Sequence, residues 1–278
     1  MRRRTFLTSC TSLLAVATLD GRGRARQAAS SATTVPTPEA LIDDLVAGNR
    51  ILAMENVLDG MGHISARYPG RTGRFLLARS VAPELVTRDD IMEFDLDGNP
   101  VDAKGRTPYK ERFIHSEIYR VRSDVNAIVH CHTPSLIPFA DSSVPLRAMY
   151  HMAAFVAEGV PVFDIRAAAG TTDLLVSDAK LGRALAQALG SKHAALMRHH
   201  GAVVVATSIP NAVGRSIYLD LNARIQIQTA SLGGTMTSID PADARLRMAD
   251  PSEYSRAWEL WKRKLSRPPS REATAGRP

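Results

Sequence analysis

The stretch Asn126–His132, NAIVHCH, is a run of apolar residues that ends in two histidines one residue apart. The apolar run predicts a buried β-strand over 127–132. Because alternate side chains of a strand point to the same face, the imidazoles of His130 and His132 project together. The sequence therefore predicts a pair of metal ligands at the end of a buried strand.

A later apolar run, Leu196–Val205 (LMRHHGAVVV), supplies a third histidine, His200, directly before a glycine. Three imidazoles and one carboxylate, with a position left for substrate, are typical of a catalytic divalent metal. Glu111, at the start of a predicted helix upstream, is the candidate carboxylate. These ligand types suit zinc, manganese, iron or cobalt alike, so the predicted cofactor is one divalent metal per subunit, of unspecified identity.

The net charge of +7 lies at the two ends of the 278-residue chain. Residues 1–32 and residues 262–278 each carry +5, which leaves −3 for the stretch between them. A slightly acidic body without a basic stripe gives no support for nucleic-acid binding. The size and the 45% hydrophobic content predict one globular domain with a sizeable core.

The first 32 residues have the pattern of an export signal. Arg2–Leu7, RRRTFL, resembles the twin-arginine signal, and the apolar run from Leu13 to Leu19 is too short for a permanent membrane span. We therefore expect residues 1–32 to be a cleaved signal and the mature protein to be periplasmic. The alternative is a basic N-terminal arm on a cytoplasmic protein.

Signals for helices and strands alternate along residues 33–250, which we interpret as one domain. This order favours a mixed sheet with helices on its faces over a doubly wound parallel sheet. Strands are predicted at 63–67, 75–79, 91–95, 127–132, 162–166, 194–198 and 202–207. Residues 251–278 are predicted to form a C-terminal helix and a basic tail, with Trp258 and Trp261 on one helix face.

The run ERFIHSEIYRVRSDVNAIVHCH, residues 111–132, followed later by RHHGAVVV, resembles the class II aldolase/adducin family over roughly residues 38–235. The resemblance implies a three-layer α/β sandwich whose central sheet is mostly antiparallel with helices on both faces. It implies that Glu111, His130, His132 and His200 bind the metal; Glu117, the rival carboxylate, falls six residues late. It also implies a homotetramer or other homo-oligomer with active sites between subunits.

Two departures from the sugar-phosphate aldolases of that family bear on the substrate. Where those enzymes hold phosphate with a Gly-Asn turn and a Ser-Ser pair, this chain has Gly62-His63 and Tyr109-Lys110. A phosphorylated sugar is therefore not the expected substrate, and His63 is a candidate substrate-binding residue. Where those aldolases use a tyrosine from a neighbouring subunit as acid or base, this chain has His151, our candidate catalytic acid.

Other motifs resemble the branch of the family that contains decarboxylases of hydroxylated aromatic and pyridine carboxylates. They are RFLLARS, VFDIR and RAWELWK, which begin at Arg74, Val162 and Arg256. The expected function is metal-dependent decarboxylation of a non-phosphorylated hydroxy-aromatic or hydroxy-heteroaromatic carboxylate, in which Glu111 is a ligand or carries a proton. The alternatives are an aldolase for an unphosphorylated hydroxy-keto acid, an iron-dependent oxygenase of a hydroxyphenyl substrate and, least favoured, a non-catalytic interaction module.

Overall fold

The computed structural model describes residues 36–250 and 254–266, which contain a seven-stranded sheet. The strands are β1 His63–Arg67, β2 Arg74–Ala78, β3 Ile91–Asp95, β4 Ala127–Cys131, β5 Val162–Phe163, β6 Ala194–Met197 and β7 Gly201–Ala206. The α-helices are α1 Pro38–Met54, α2 Arg112–Val121, α3 Ile137–Asp141, α4 Ile165–Ala169, α5 Ala179–Leu189, α6 Ile209–Ser231, α7 Pro241–Arg247 and α8 Ser255–Leu265.

The sheet has the strand order β3-β2-β1-β4-β7-β6-β5. Each neighbouring pair is antiparallel except β5 and β6, which are parallel. Strand β4 lies at the centre, where His130 is paired with His63 of β1 on one side and with Val203 of β7 on the other. The first histidine of the H-x-H motif therefore lies in the middle of the sheet.

Helices cover both faces of the sheet, as the side chains of β1 show. A Cβ built at Gly48 of α1 would lie 3.2 Å from the side chain of Ile64 and 3.3 and 3.4 Å from those of Ile209 and Val213 of α6. Ser65, the neighbour of Ile64, points to the other face and is hydrogen-bonded to His115 of α2. Adjacent strand residues face opposite sides, so α1 and α6 form one layer and α2 the other. This confirms the expected three-layer sandwich with a mostly antiparallel sheet.

The prediction of extended structure at 162–166 was wrong at its C-terminal half. Strand β5 ends at Phe163, and the carboxylate of Asp164 accepts a hydrogen bond from the backbone N–H of Arg166. Such a cap satisfies a free amide at a helix start, and α4 begins at Ile165.

Within the predicted C-terminal segment the structure has helix α8, and both of its tryptophans are buried. The ring of Trp261 lies 6.2 Å from that of Tyr218 in α6, so this helix packs on the body of the domain. The expected signal, residues 1–32, and the tail after residue 266 lie outside the described residues. Within the described ranges, no helix combines the length and apolarity that a bilayer crossing requires.

Asp90, just before β3, provides a test of pH-dependent stability. Its Oδ2 accepts hydrogen bonds from the backbone N–H and hydroxyl of Thr87, and its Oδ1 accepts one from Arg79 Nε at 2.5 Å. Burial raises the pKa of Asp90, but these hydrogen bonds outweigh burial and hold the pKa below its ordinary value. The ionised carboxylate therefore stabilises the fold at neutral pH.

We expect Asp90→Asn to lower the free energy of unfolding by about 1–3 kcal/mol at neutral pH. A lowered carboxyl pKa contributes stability above the pKa of the unfolded state, and this contribution disappears as pH falls through the lowered value. Urea unfolding between about pH 7 and pH 3 measures the difference. The exposed Asp102→Asn, which removes an ion pair with Lys104, is the control. A difference between the Asp90 variant and the parent that stayed constant with pH would contradict the assignment.

Candidate metal centre

His130 is fully buried at the centre of the sheet, and its orientation is set by β7. Its Nδ1 lies 3.1 Å from the carbonyl oxygen of Ala202, to which it donates a hydrogen bond. A proton on Nδ1 leaves the lone pair of Nε2 available. This Nε2 points away from β7, toward His132 and Glu111.

His132 follows the last residue of β4 and lies on the same side as His130, as alternation along the strand predicts. The Nε2 atoms of the two rings are 3.1 Å apart, and that of His132 is 3.2 Å from the Nε2 of His200. Burial lowers the pKa of His132, and the neighbouring His130 and His200 lower it further. The neutral imidazole, which is the form that binds metals, is therefore favoured.

His200 is presented by a tight turn between β6 and β7. The preceding residue, His199, has a positive φ of 56°, a backbone conformation that is unfavourable for residues other than glycine. Asp141 holds this turn because it accepts a hydrogen bond of 2.8 Å from the backbone N–H of His199 and lies 3.1 Å from its Nδ1. A Cβ added at Gly201 would lie 2.0 Å from the carbonyl oxygen of Cys131. Because Gly201 has no side chain, the start of β7 can approach β4 closely, and this brings the adjacent His200 close to β4.

Glu111 supplies the fourth donor, from the position directly before α2. Its Oε1 accepts a hydrogen bond of 2.9 Å from the backbone N–H of Val176. Its Oε2 lies 3.4 Å from His130 Nε2 and 3.6 Å from His200 Nε2. Burial raises the pKa of Glu111, but the attraction of these imidazoles dominates and holds the pKa well below its ordinary value. The carboxylate is therefore ionised in the cluster.

The cluster has the donor set and the spacing of a site for a divalent metal. One donor atom from each of Glu111, His130, His132 and His200 lies within 4.8 Å of all the others. Ligands about 2.1 Å from a shared ion lie about 3.0–3.4 Å apart for angles near 90–109°. The closest nitrogen–nitrogen distances, 3.1 and 3.2 Å, fall in this range. The four residues fit a divalent metal, and the imidazole and carboxylate donors do not select one ion.

Glu117, the rival carboxylate, lies elsewhere. Its side chain is fully buried and is paired with Arg120 at 3.4 Å and with Arg183 of α5 at 3.6 Å. It is therefore part of the contact between α2 and α5. The metal-ligand role of Glu111 is a prediction that the geometry supports.

His63 is the first member of a chain of buried polar groups behind the cluster. Its Nδ1 is 2.7 Å from His115 Nε2, and His115 Nδ1 is 2.6 Å from the hydroxyl of Ser65. The Ser65 hydroxyl is in turn 2.9 Å from that of Tyr119. Burial lowers the pKa of His115 to about 3 and raises the pKa of Tyr119 well above its ordinary value, so both side chains are neutral. The sequence contains no local pattern that predicts this series of hydrogen-bonded side chains.

The side chain of His63 is nearly inaccessible to solvent, which bears on its predicted contact with substrate. The residue is 1% exposed, and its ring lies 4.5 Å from that of Tyr109 and 5.1 Å from that of His130. The hydroxyl of Tyr109 donates to the carbonyl oxygen of Val81. Residues 63 and 109 thus pack on each other beside the cluster, and substrate contact by His63 stays a prediction.

The structure does not bring His151 into the cluster of this chain. The residue is exposed at the start of a 3₁₀ helix, His151–Val156, and its ring lies 6.1 Å from that of Tyr150. Its predicted role as the acid depended on an active site between subunits. That role stays a prediction about an assembly of several chains.

Asp59 is a residue of the site that the sequence analysis missed. Both of its carboxylate oxygens lie 3.3 Å from His132 Nδ1. The signal available was the run Asp-Gly-Met-Gly at residues 59–62, since Asp is typical of turns in which it binds backbone amides two or three residues on.

Comparison with known proteins relates this chain to one family. Residues 43–227 match the family described as Class II Aldolase and Adducin N-terminal domain. The chain is 32% identical over 244 residues to Decarboxylase tropJ of Talaromyces stipitatus, covering 79% of this chain and 92% of the relative. It is 29% identical over 235 residues to the 3,4-dihydroxyphthalate decarboxylase of Arthrobacter keyseri, covering 78% and 90% respectively.

The fold is also that of a solved structure. An aldolase II superfamily protein from Pseudomonas syringae superposes with a TM-score of 0.70 at 23% identity, over 83% of this chain and 94% of that one. At this level of identity the likeness concerns the fold.

Proposed function

Since this chain belongs to the Class II Aldolase and Adducin N-terminal domain family, we propose that it is a metal-dependent lyase that decarboxylates a non-phosphorylated, hydroxylated aromatic or heteroaromatic acid. The observation that carries the proposal is the convergence of three imidazoles and one buried carboxylate on a shared point. Relatives named as decarboxylases, which match over most of their length, support the choice of reaction.

The residues of the cluster would bind the metal and determine the side from which the substrate enters. His130, His132, His200 and Glu111 would hold the metal, which when bound supplies a Lewis acid beside the substrate oxygen. His132 is the most open of the four, with 20% of its side chain exposed, whereas the His130 side chain is fully buried. The substrate therefore approaches from the side of His132.

Decarboxylation leaves an electron pair on the ring carbon, which must take up a proton once CO2 has departed. The ionised Glu111, anchored by Val176, keeps a negative charge beside His130 and His200 and compensates the charge of a bound cation. We assign the proton donor to His151 of a neighbouring subunit in a homotetramer or other homo-oligomer. Histidine is the side chain most often used for general acid catalysis.

The packing of His63 on Tyr109 supports a substrate without phosphate. Two aromatic rings 4.5 Å apart stand at positions where the resemblance to sugar-phosphate aldolases calls for small groups around the phosphate. Bulky rings leave little room for small hydroxyls and free backbone amides, which bind phosphate well. The substrate is thus a planar carboxylate rather than a phosphorylated sugar.

We also propose which ions the site binds and where the protein acts. The ion is zinc, manganese, iron or cobalt, one per subunit, and the protein acts in the periplasm after twin-arginine-type export. Export after folding would let the chain take up its metal in the cytoplasm, where metal supply is controlled.

The test of the reaction is a substrate panel with protein reconstituted separately with Zn²⁺, Mn²⁺, Co²⁺ and, without oxygen, Fe²⁺. We expect CO2 release from at least one ortho-hydroxylated aromatic acid, without oxygen consumption, and no cleavage of phosphorylated hydroxy-ketones. Cleavage of an unphosphorylated hydroxy-keto acid without CO2 release would favour the aldolase alternative. Oxygen uptake in step with turnover would favour the iron-dependent oxygenase.

A further inference from the structure

The Nδ1 atoms of His130 and His132, the two histidines of the H-x-H motif, face different kinds of partner. The buried His130 is oriented by a backbone carbonyl, that of Ala202. The more exposed His132 has its Nδ1 3.3 Å from both oxygens of the Asp59 carboxylate. Since Nε2 of His132 points at the other imidazoles, this carboxylate lies on the side of the ring opposite the metal centre.

The carboxylate of Asp59 is held in place, although more than half of its side chain is exposed. Its Oδ1 accepts hydrogen bonds from the backbone N–H of Met61 at 2.8 Å and from that of Gly62 at 3.0 Å. A Cβ added at Gly62 would lie 3.0 Å from the carbonyl oxygen of His130, so the turn packs against β4. The turn that holds Asp59 therefore packs directly on the strand that carries the histidines.

We propose that Asp59 is a positioning residue of the metal centre, which accepts the Nδ1 proton of His132 and thereby directs Nε2 toward the ion. The carboxylate fixes both the tautomer and the ring orientation of an imidazole that is otherwise partly open to solvent. It also makes that imidazole a better electron donor. This inference rests on the metal centre of the proposed function.

Asp59→Asn is the informative variant. The amide oxygen of asparagine still accepts hydrogen bonds from Met61 and Gly62, so the turn is kept, but the negative charge beside His132 is lost. Asp102→Asn is the matched control, because Asp102 is a similarly exposed carboxylate that pairs with Lys104. Zn²⁺ is the probe, and its affinity is measured by competition with a chromophoric chelator. Thermal unfolding of each metal-free protein is measured in parallel.

We expect Asp59→Asn to bind Zn²⁺ about 10–100-fold more weakly than the parent, as for other carboxylate partners of metal-bound histidines. Asp102→Asn should bind like the parent, and the metal-free proteins should unfold at similar temperatures. Parent-like Zn²⁺ affinity in Asp59→Asn, whether or not its metal-free form is less stable, would overturn the inference and leave the proposed function standing. A parent protein that binds no Zn²⁺ or other divalent ion would overturn both.

Discussion

The double variant His130→Ala/His132→Ala is expected to lose stoichiometric metal and, with it, CO2 release. Removing two of four donors leaves His200 and Glu111, too few ligands to hold a divalent ion tightly. A Lewis acid beside the substrate oxygen supplies several kcal/mol of charge stabilisation, so activity should fall by about 10³-fold or more. Elemental analysis of the purified protein and an assay of CO2 release measure the two losses.

The neighbouring histidine of the second motif offers a matched control for this variant. His199 lies outside the cluster. The variant His199→Asn keeps the backbone N–H that donates a hydrogen bond to the carboxylate of Asp141. Asparagine also tolerates the positive φ of this position better than most residues do. The control should bind metal like the parent. A double variant that retained both metal and activity would place the metal somewhere other than this cluster.

Gly201→Ala is expected to have the largest effect on stability. The added Cβ would lie 2.0 Å from the carbonyl oxygen of Cys131 and 3.0 Å from Cα of His132. Both atoms belong to the backbone, which cannot rotate away as a side chain can, so β4 and β7 would have to separate. We expect a loss of about 3 kcal/mol or more in the free energy of unfolding, at the upper end of overpacking effects.

Urea unfolding of Gly201→Ala beside Gly234→Ala tests this prediction. No atom lies within 4 Å of a Cβ built at Gly234, and its φ is not positive. The control should therefore unfold within about 0.5 kcal/mol of the parent. Equal stability of the two variants would show that β4 and β7 can move apart at little cost. The close approach would then not be what presents His200.

Sequence alone predicted those features of the fold that depend on local patterns. Strands β1 and β3 begin and end at the predicted residues, and β4 differs from its prediction by one residue. Buried apolar runs with turn residues at both ends are strong local signals. The same-face projection of His130 and His132 followed from the two-residue repeat of a strand.

Contacts between segments that are distant in the sequence could not be predicted from local patterns. Asp59 and His132 are 73 positions apart, and Asp141 and His199 are 58 positions apart, yet each pair is in direct contact. Both depend on how loops pack once the sheet has formed. The burial of His63 likewise follows from the position of α2, because His115 of that helix is hydrogen-bonded to His63.

The choice between Glu111 and Glu117 required the resemblance or the structure, since Glu111 directly precedes α2 and Glu117 lies within the same short helix. A separation of six residues turns the helix by about 240°, so the two side chains face different neighbours. One meets the histidines and the other meets Arg120 and Arg183.

The most direct test of a metal-dependent decarboxylase is the titration of metal-free parent protein with the ion that it retains on purification. CO2 release from a responsive hydroxylated aromatic acid is followed at each addition. The account predicts that activity is absent at first, rises in proportion to added metal and saturates at one ion per subunit. Full CO2 release by thoroughly metal-free protein would contradict it, because the four converging donors would then have no part in the reaction.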